Sequence, residues 1–113
     1  MFVFLWSTIA QERERVVNKA ICDAIRSRAI IQFHYDGGLR IAEPHSHGIS
    51  TAGSEVLRGY QTGGYSSSGD PVGWKLYLVA SISGLRQTGK VFLANRPDYN
   101  PNDRGMISVH CHV

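Results

Sequence analysis

The hydrophobic period of this chain changes once, at Ala29, and that change fixes its class. Before it, Val16, Val17, Ala20, Ile21, Ala24 and Ile25 recur as adjacent pairs every four residues, an apolar stripe down one side of a helix. After it, Ile31, Phe33 and Tyr35 alternate with Ile30, Gln32 and His34, the two-residue repeat of an extended strand. A helix followed by short alternating stretches is an α+β plan dominated by β structure.

The helix is expected over residues 8–28. Thr8 with Gln11 fits a capping box, Glu12 and Glu14 sit early, and Arg26 and Arg28 sit late, as the macrodipole favours. Asp36-Gly37-Gly38 then supplies a hairpin turn. Strands are expected at 30–35, at 39–43 until Pro44 bends the chain, around Val56, Leu57 and Tyr60, at 74–81 and at 90–94. Residues 61–73 hold four Gly, three consecutive Ser and one Pro, and read as a long loop. Short strands need closure to protect their edges, so a small five-stranded barrel is expected over 29–95. A turn-rich segment, 96–113, follows and ends in an alternating stretch that reads as an edge strand. At 113 residues, this is one domain.

Composition narrows the function classes. Twelve Lys and Arg against nine Asp and Glu give a charge of +3, far from a tail that coats nucleic acid. Two cysteines, Cys22 and Cys111, make no disulfide framework; spacing alone leaves a single bridge between them open, and the expectation is two reduced thiols in a cytoplasmic protein. The apolar run at 1–6 is too short for a secretory core of about 7–15 residues or a span of about 20, so no membrane role is expected. Such a run is expected to pack on its own sheet or on a second copy, and a homodimer follows.

With the strands placed, the chain resembles the WYL domain family of bacterial regulators. The resemblance covers about residues 18–95 and is carried by Ile25-Arg26-Ser27-Arg28, by the strand Ile31-Gln32-Phe33-His34-Tyr35, and by Gly38-Leu39-Arg40-Ile41-Ala42-Glu43-Pro44. Glu55-Val56-Leu57-Arg58-Gly59-Tyr60 and Trp74-Lys75-Leu76-Tyr77-Leu78-Val79-Ala80-Ser81-Ile82 continue it. The family's Trp-Tyr-Leu triplet falls on Glu55-Val56-Leu57, where only the leucine is kept, and Ser81 stands where the family has an arginine. The resemblance implies an Sm-like, SH3-type barrel acting as a regulatory, ligand-sensing module. In relatives a helix-turn-helix domain precedes it, so a separate DNA-binding or effector protein is an expected partner here.

The residues that would carry binding are Arg40, Arg58, Tyr60, Trp74, Lys75 and Tyr77, with Tyr35 and Arg86 nearby. Stacking on aromatic faces beside a cationic groove holds single-stranded nucleic acid, at about 1–3 kcal/mol per base. Arg58 and Tyr60 are two apart on one strand, as are Lys75 and Tyr77, so each pair shares a face. The expected ligand is a nucleotide or single-stranded nucleic acid; the alternative is that the aromatics fill the core and the module binds protein instead. His45-Ser46-His47 and His110-Cys111-His112 are two His-x-His pairs whose imidazoles, at strand spacing, form a weak candidate metal set. His110 and His112 are expected to face away from Cys111, which leaves no thiol–imidazole pair between them. Nothing orients a histidine against Ser66-Ser67-Ser68, and no phosphate-binding loop occurs, so neither catalysis nor a cofactor is expected.

Overall fold

A computed structural model describes residues 2–113, and the side chains of residues 8–113. The apolar run at 1–6, expected to seed a dimer, lies outside the residues whose side chains are described. One helix, α1 (Phe2–Ser27), precedes six strands: β1 (Ala29–Tyr35), β2 (Gly38–Ser50), β3 (Glu55–Gly64), β4 (Gly73–Leu78), β5 (Ser83–Val91) and β6 (Met106–His112). A single 3-10 turn, Val79–Ser81, joins β4 to β5. Thr8 lies inside α1 rather than at its start, so it is not the cap that the sequence pattern suggests.

The strands form one antiparallel sheet in the order β4-β3-β2-β1-β5, with β6 paired to β2. The expected closed barrel of five strands is replaced by an open sheet of six, in which no ladder joins β4 to β5 among the described residues. The strand over 90–94 is also corrected. β5 runs from Ser83 to Val91, and its glycines and mostly exposed side chains hide it from any test of alternation.

Strand β2 is much longer than Pro44 suggested, because it serves two neighbours in turn on one edge. Residues 38–42 pair with β1, while Ser46 to Ser50 pair with β6. Pro44, which has no N–H to give, sits where β1 has stopped and β6 has not begun. A bulge between Pro44 and Ser46 in the β3 pairing, and another between His47 and Gly48 in the β6 pairing, absorb the bend. The β1–β2 hairpin turns on Asp36 and Gly37, both at positive φ (42° and 94°), as a tight two-residue connection requires.

One face of the sheet packs on α1. Ile21, Ala24 and Ile25 of the helix meet Ile31, Phe33, Ala42, Leu57, Tyr77 and Val79. Helix residues 8–16 are exposed, so the apolar stripe is buried only from Val17 onward. The expectation of two reduced thiols is overturned: a disulfide joins Cys22 on α1 to Cys111 on β6, closing a loop across 89 residues. It fastens the helix to the strand that pairs only with the far half of β2.

Gly48 lets β6 approach, since a Cβ there would collide with the Ser108 carbonyl oxygen. Gly48→Ala is therefore expected to lower stability by about 1–3 kcal/mol in urea unfolding, with Gly63→Ala, whose added carbon meets nothing within 4 Å, near neutral.

Candidate functional site

The six residues expected to form one basic-aromatic surface divide between the two faces of the sheet. Arg58 pairs with Leu76 and Tyr60 with Trp74 across β3 and β4, so these four share the outer face, away from α1. Lys75 and Tyr77, opposite Gly59 and Leu57, share the inner face. Arg40 joins them there. It is 4 % exposed, donates from Nε to the Tyr35 carbonyl (3.2 Å) and from Nη1 to Gln61 Oε1 (3.3 Å), and lies over the Tyr35 and Tyr65 rings. Tyr77 donates to the same Gln61 oxygen at 2.7 Å, and burial raises its pKa far enough to keep the hydroxyl protonated. Arg40, Gln61 and Tyr77 thus form a satisfied polar chain within the core. Lys75 reaches the sheet margin, where its Nζ donates to the Asp70 carbonyl at 2.7 Å. Arg86 lies on β5 opposite Gln32, apart from the others.

The outer face is covered by residues 92–105, which carry no regular structure. Backbone bonds tie its ends, from the Phe92 N–H to the Arg28 carbonyl and from the Thr51 N–H to the Gly105 carbonyl, and four contacts through side chains hold what lies between. Arg96 makes a two-pronged ion pair with Glu43 (2.7 and 3.0 Å), and its guanidinium lies 4.5 Å from the centre of the Tyr60 ring. The Arg96 backbone N–H donates to His45 Nε2 at 3.1 Å, while His45 Nδ1 donates to the Glu43 carbonyl at 2.9 Å. Those two bonds fix one neutral tautomer, and burial lowers the His45 pKa, in the same direction. Trp74 Nε1 donates to the Pro97 carbonyl at 3.4 Å. Arg58 grips Asp103 with two hydrogen bonds (2.6 and 3.0 Å), which hold that carboxyl below the usual range.

Between Trp74 and Arg58 on the sheet and residues 98–104 above them runs an open groove of about 250 Å³. Trp74 and Tyr99 give it aromatic walls, and Asp98, Asn100 and Arg104 line its rim. The Tyr99 hydroxyl is buried without a hydrogen-bond partner. Arg58 is already matched by Asp103, so Arg104, which is exposed, is the groove's outward cation. Tyr99, Asn100 and Arg104 were not expected here. They come from the turn-rich segment, where no alternation tells which side chain returns to the sheet.

The two His-x-His pairs do not converge as a set of four: the His47 and His110 rings meet, 5.3 Å apart beside Glu55, while His45 and His112 stand apart from them. The bulge at His45 breaks the strand alternation, so His45 joins Trp74, Phe92 and Tyr99 on the outer face, while His47 turns inward to the disulfide. His112 is exposed, with Nδ1 beside the Val113 carbonyl oxygen. His110 is 42 % exposed and approaches Glu55 at 3.4 Å. The single cluster of metal-ligating atoms among the described residues is instead Cys22, His47 and Cys111.

Comparison of the chain with protein-family models, with curated proteins and with solved structures found no match.

Two outcomes follow. Arg40→Ala, which removes the side-chain donor to the Tyr35 carbonyl and one of the two donors to Gln61 Oε1 and leaves a cavity in the core, is expected to cost about 2–4 kcal/mol of stability in urea unfolding. The second concerns acid. Because the folded pKa of Asp103 lies below its unfolded value, its tie to Arg58 contributes fully above about pH 4. That contribution is lost as pH falls through the folded value, so the Tm gap between wild type and Arg58→Met is expected to shrink in acid. A gap that stays constant across the titration contradicts the pairing.

Proposed function

We propose that the protein is a non-catalytic binding module whose ligand is a nucleotide or one base of a single-stranded nucleic acid. The observation that carries this reading is the groove in which Trp74, Tyr99 and the exposed Arg104 converge on one concave surface. Its volume of about 250 Å³ is under the roughly 300–1,000 Å³ of most small-molecule sites, which suits one planar group with its phosphate at the rim. An aromatic face takes the base by stacking, and Arg104 takes the anion. Arg58 acts as a positioning residue: by holding Asp103 it keeps the loop that carries Arg104 in place. Trp74 remains in the proposed site, Tyr60 lies behind it against the Trp74 ring and beneath Arg96, and Arg40 and Tyr77 support it from the core.

The proposal keeps the WYL resemblance as its parentage. On that reading the open six-stranded sheet, rather than a closed Sm- or SH3-like barrel, would serve as the ligand-sensing regulator. A DNA-binding or effector partner would then convert occupancy of the groove into a response. In a cytoplasmic setting the glutathione pool would hold Cys22 and Cys111 reduced, so the reading also requires the module to fold in that state.

A second reading is favoured by the overhanging half of α1. Ile9, Ala10 and Val17 form, with Val79, Ala80 and Ile82, a mainly apolar cleft of about 300 Å³ that Arg13 and Glu14 also line. There a second copy of the chain would complete what the sheet leaves uncovered, giving the expected homodimer. Salt separates the two readings: binding of an anion weakens as salt rises, whereas apolar self-association does not.

Trp74 is its own reporter. Titration with nucleoside monophosphates and with a short labelled single-stranded RNA is expected to quench its emission, with affinity reduced at least tenfold in Arg104→Ala and no loss of Tm. Trp6 provides background emission, so Trp74→Phe serves as the blank. Unchanged emission and anisotropy at low salt would count against the groove as a ligand site.

A further inference from the structure

The Cys22–Cys111 disulfide has a third member. His47 is 1 % exposed, and its Nδ1 faces both sulfurs, 3.5 Å from Cys22 Sγ and 3.8 Å from Cys111 Sγ. Its other nitrogen, Nε2, lies 2.9 Å from Glu55 Oε2. That contact is close but poorly directed, and neither atom has a well-aligned hydrogen bond. With its Nε2–H toward the carboxylate, His47 presents the Nδ1 lone pair to the sulfurs. A metal-binding imidazole commonly has this arrangement, one nitrogen free to ligate and the other turned to a carboxylate behind it.

The distances match a metal site closely. Zn²⁺ bound to thiolate at about 2.3 Å and imidazole at about 2.05 Å in a tetrahedron sets sulfur–nitrogen edges near 3.6 Å and a sulfur–sulfur edge near 3.8 Å. Both sulfur–nitrogen edges already stand at 3.5 and 3.8 Å. Only the sulfur–sulfur separation must open. All three ligand atoms lie within 4.8 Å of one another, and the elements that carry them, α1, β2 and β6, are fixed by independent packing. The site lies on the helix side of the sheet, opposite the groove.

We propose that in the reduced protein Cys22, Cys111 and His47 bind Zn²⁺, with Glu55 orienting His47, and that oxidation to the disulfide releases the metal. The exchange balances. Two small-molecule thiols reduce the disulfide to two protein thiols and leave as one oxidised disulfide. Zn²⁺ then binds the two thiolates with loss of two protons. In the reverse direction an oxidised small-molecule disulfide takes up the electron pair, is reduced to two thiols, and Zn²⁺ departs. A solvent molecule takes the fourth position, entering beside the half-buried Cys22. The module would thereby hold α1 on β6 by a covalent bond under oxidising conditions and by a metal under reducing ones.

The test uses untagged protein, reduced with a phosphine and freed of metal, and titrated with Co²⁺ and then Zn²⁺. One equivalent of Co²⁺ is expected, with the visible bands of tetrahedral geometry and a thiolate-to-cobalt charge-transfer band, all bleached by Zn²⁺. The oxidised protein is expected to bind none. Cys111→Ser is expected to abolish the charge-transfer band at stoichiometric cobalt. Glu55→Gln, which leaves all three ligands intact, is expected to weaken Zn²⁺ about 10–100-fold against a chromophoric chelator. His112→Ala, an exposed histidine outside the set, is expected to match wild type. Circular dichroism covers the case in which reduction unfolds the chain, since Zn²⁺ is then expected to restore the folded signal. A reduced, folded protein that gives no cobalt bands overturns the proposal. So do bands that persist in Cys111→Ser, and so does a reduced chain that Zn²⁺ fails to refold.

Discussion

A strand has two edges, and β2 must satisfy three neighbours with them. β3 takes one edge along most of its length, and the other edge is divided between β1 and β6. That division forces a bend, and the bend falls at Pro44, where the chain has no N–H to leave unpaired. The bulge that follows sends His45 outward and His47 inward. Both halves of the molecule's chemistry depend on this step. His45 becomes the acceptor that anchors Arg96 and the covering segment, and His47 becomes the neighbour of the disulfide.

The covering segment then decides what the outer face can do. Without it, Arg58, Tyr60, Trp74 and Leu76 would be a flat, partly apolar patch open to water. With it, most of those groups are engaged: Arg58 by Asp103, Tyr60 by Arg96, and the indole N–H of Trp74 by the Pro97 carbonyl. What remains is a groove rather than a platform. Its near-neutral charge, with Asp98 and Asp103 set against Arg58 and Arg104, limits the electrostatic attraction it offers a long polyanion. Stacking and shape then contribute more than charge.

The sequence made the helix and the first hairpin legible because both depend on local periodicity. The pairs from Val16 to Ile25 and the alternation from Ile30 to Tyr35 each report a buried face directly. Asp36-Gly37 reported its turn because few residues tolerate positive φ twice in succession. The continuation of β2 through Pro44 was hidden, since a proline ends most strands and only the hand-off between β1 and β6 makes it harmless. The open six-stranded sheet, in place of five closed strands, turns on β6. Its alternation was visible, but nothing in the sequence told where it would pair. β5 was obscured by Gly84 and Gly89. Of the candidate site, Arg58 and Tyr60 were found by the two-residue spacing and do share a face, with Trp74 joining them across the ladder from β4. Arg40 and Tyr77 were not distinguishable from them, because an arginine that fills a core with hydrogen bonds looks the same in sequence as one that meets a ligand. The Cys22–His47–Cys111 cluster joins residues on three elements and had no local signal.

The central claim is that residues 92–105, though irregular, are folded onto the outer face and create the groove. Native-state hydrogen exchange by NMR tests it directly. The amide of Arg96, bonded to His45 Nε2, and that of Gly105, bonded to Asp103 Oδ1, are expected to exchange far more slowly than those of Asp98 and Asn100 between them. Exchange at unprotected rates throughout the segment would mean that the cover is not held, and with it that the groove is not a feature of the folded protein.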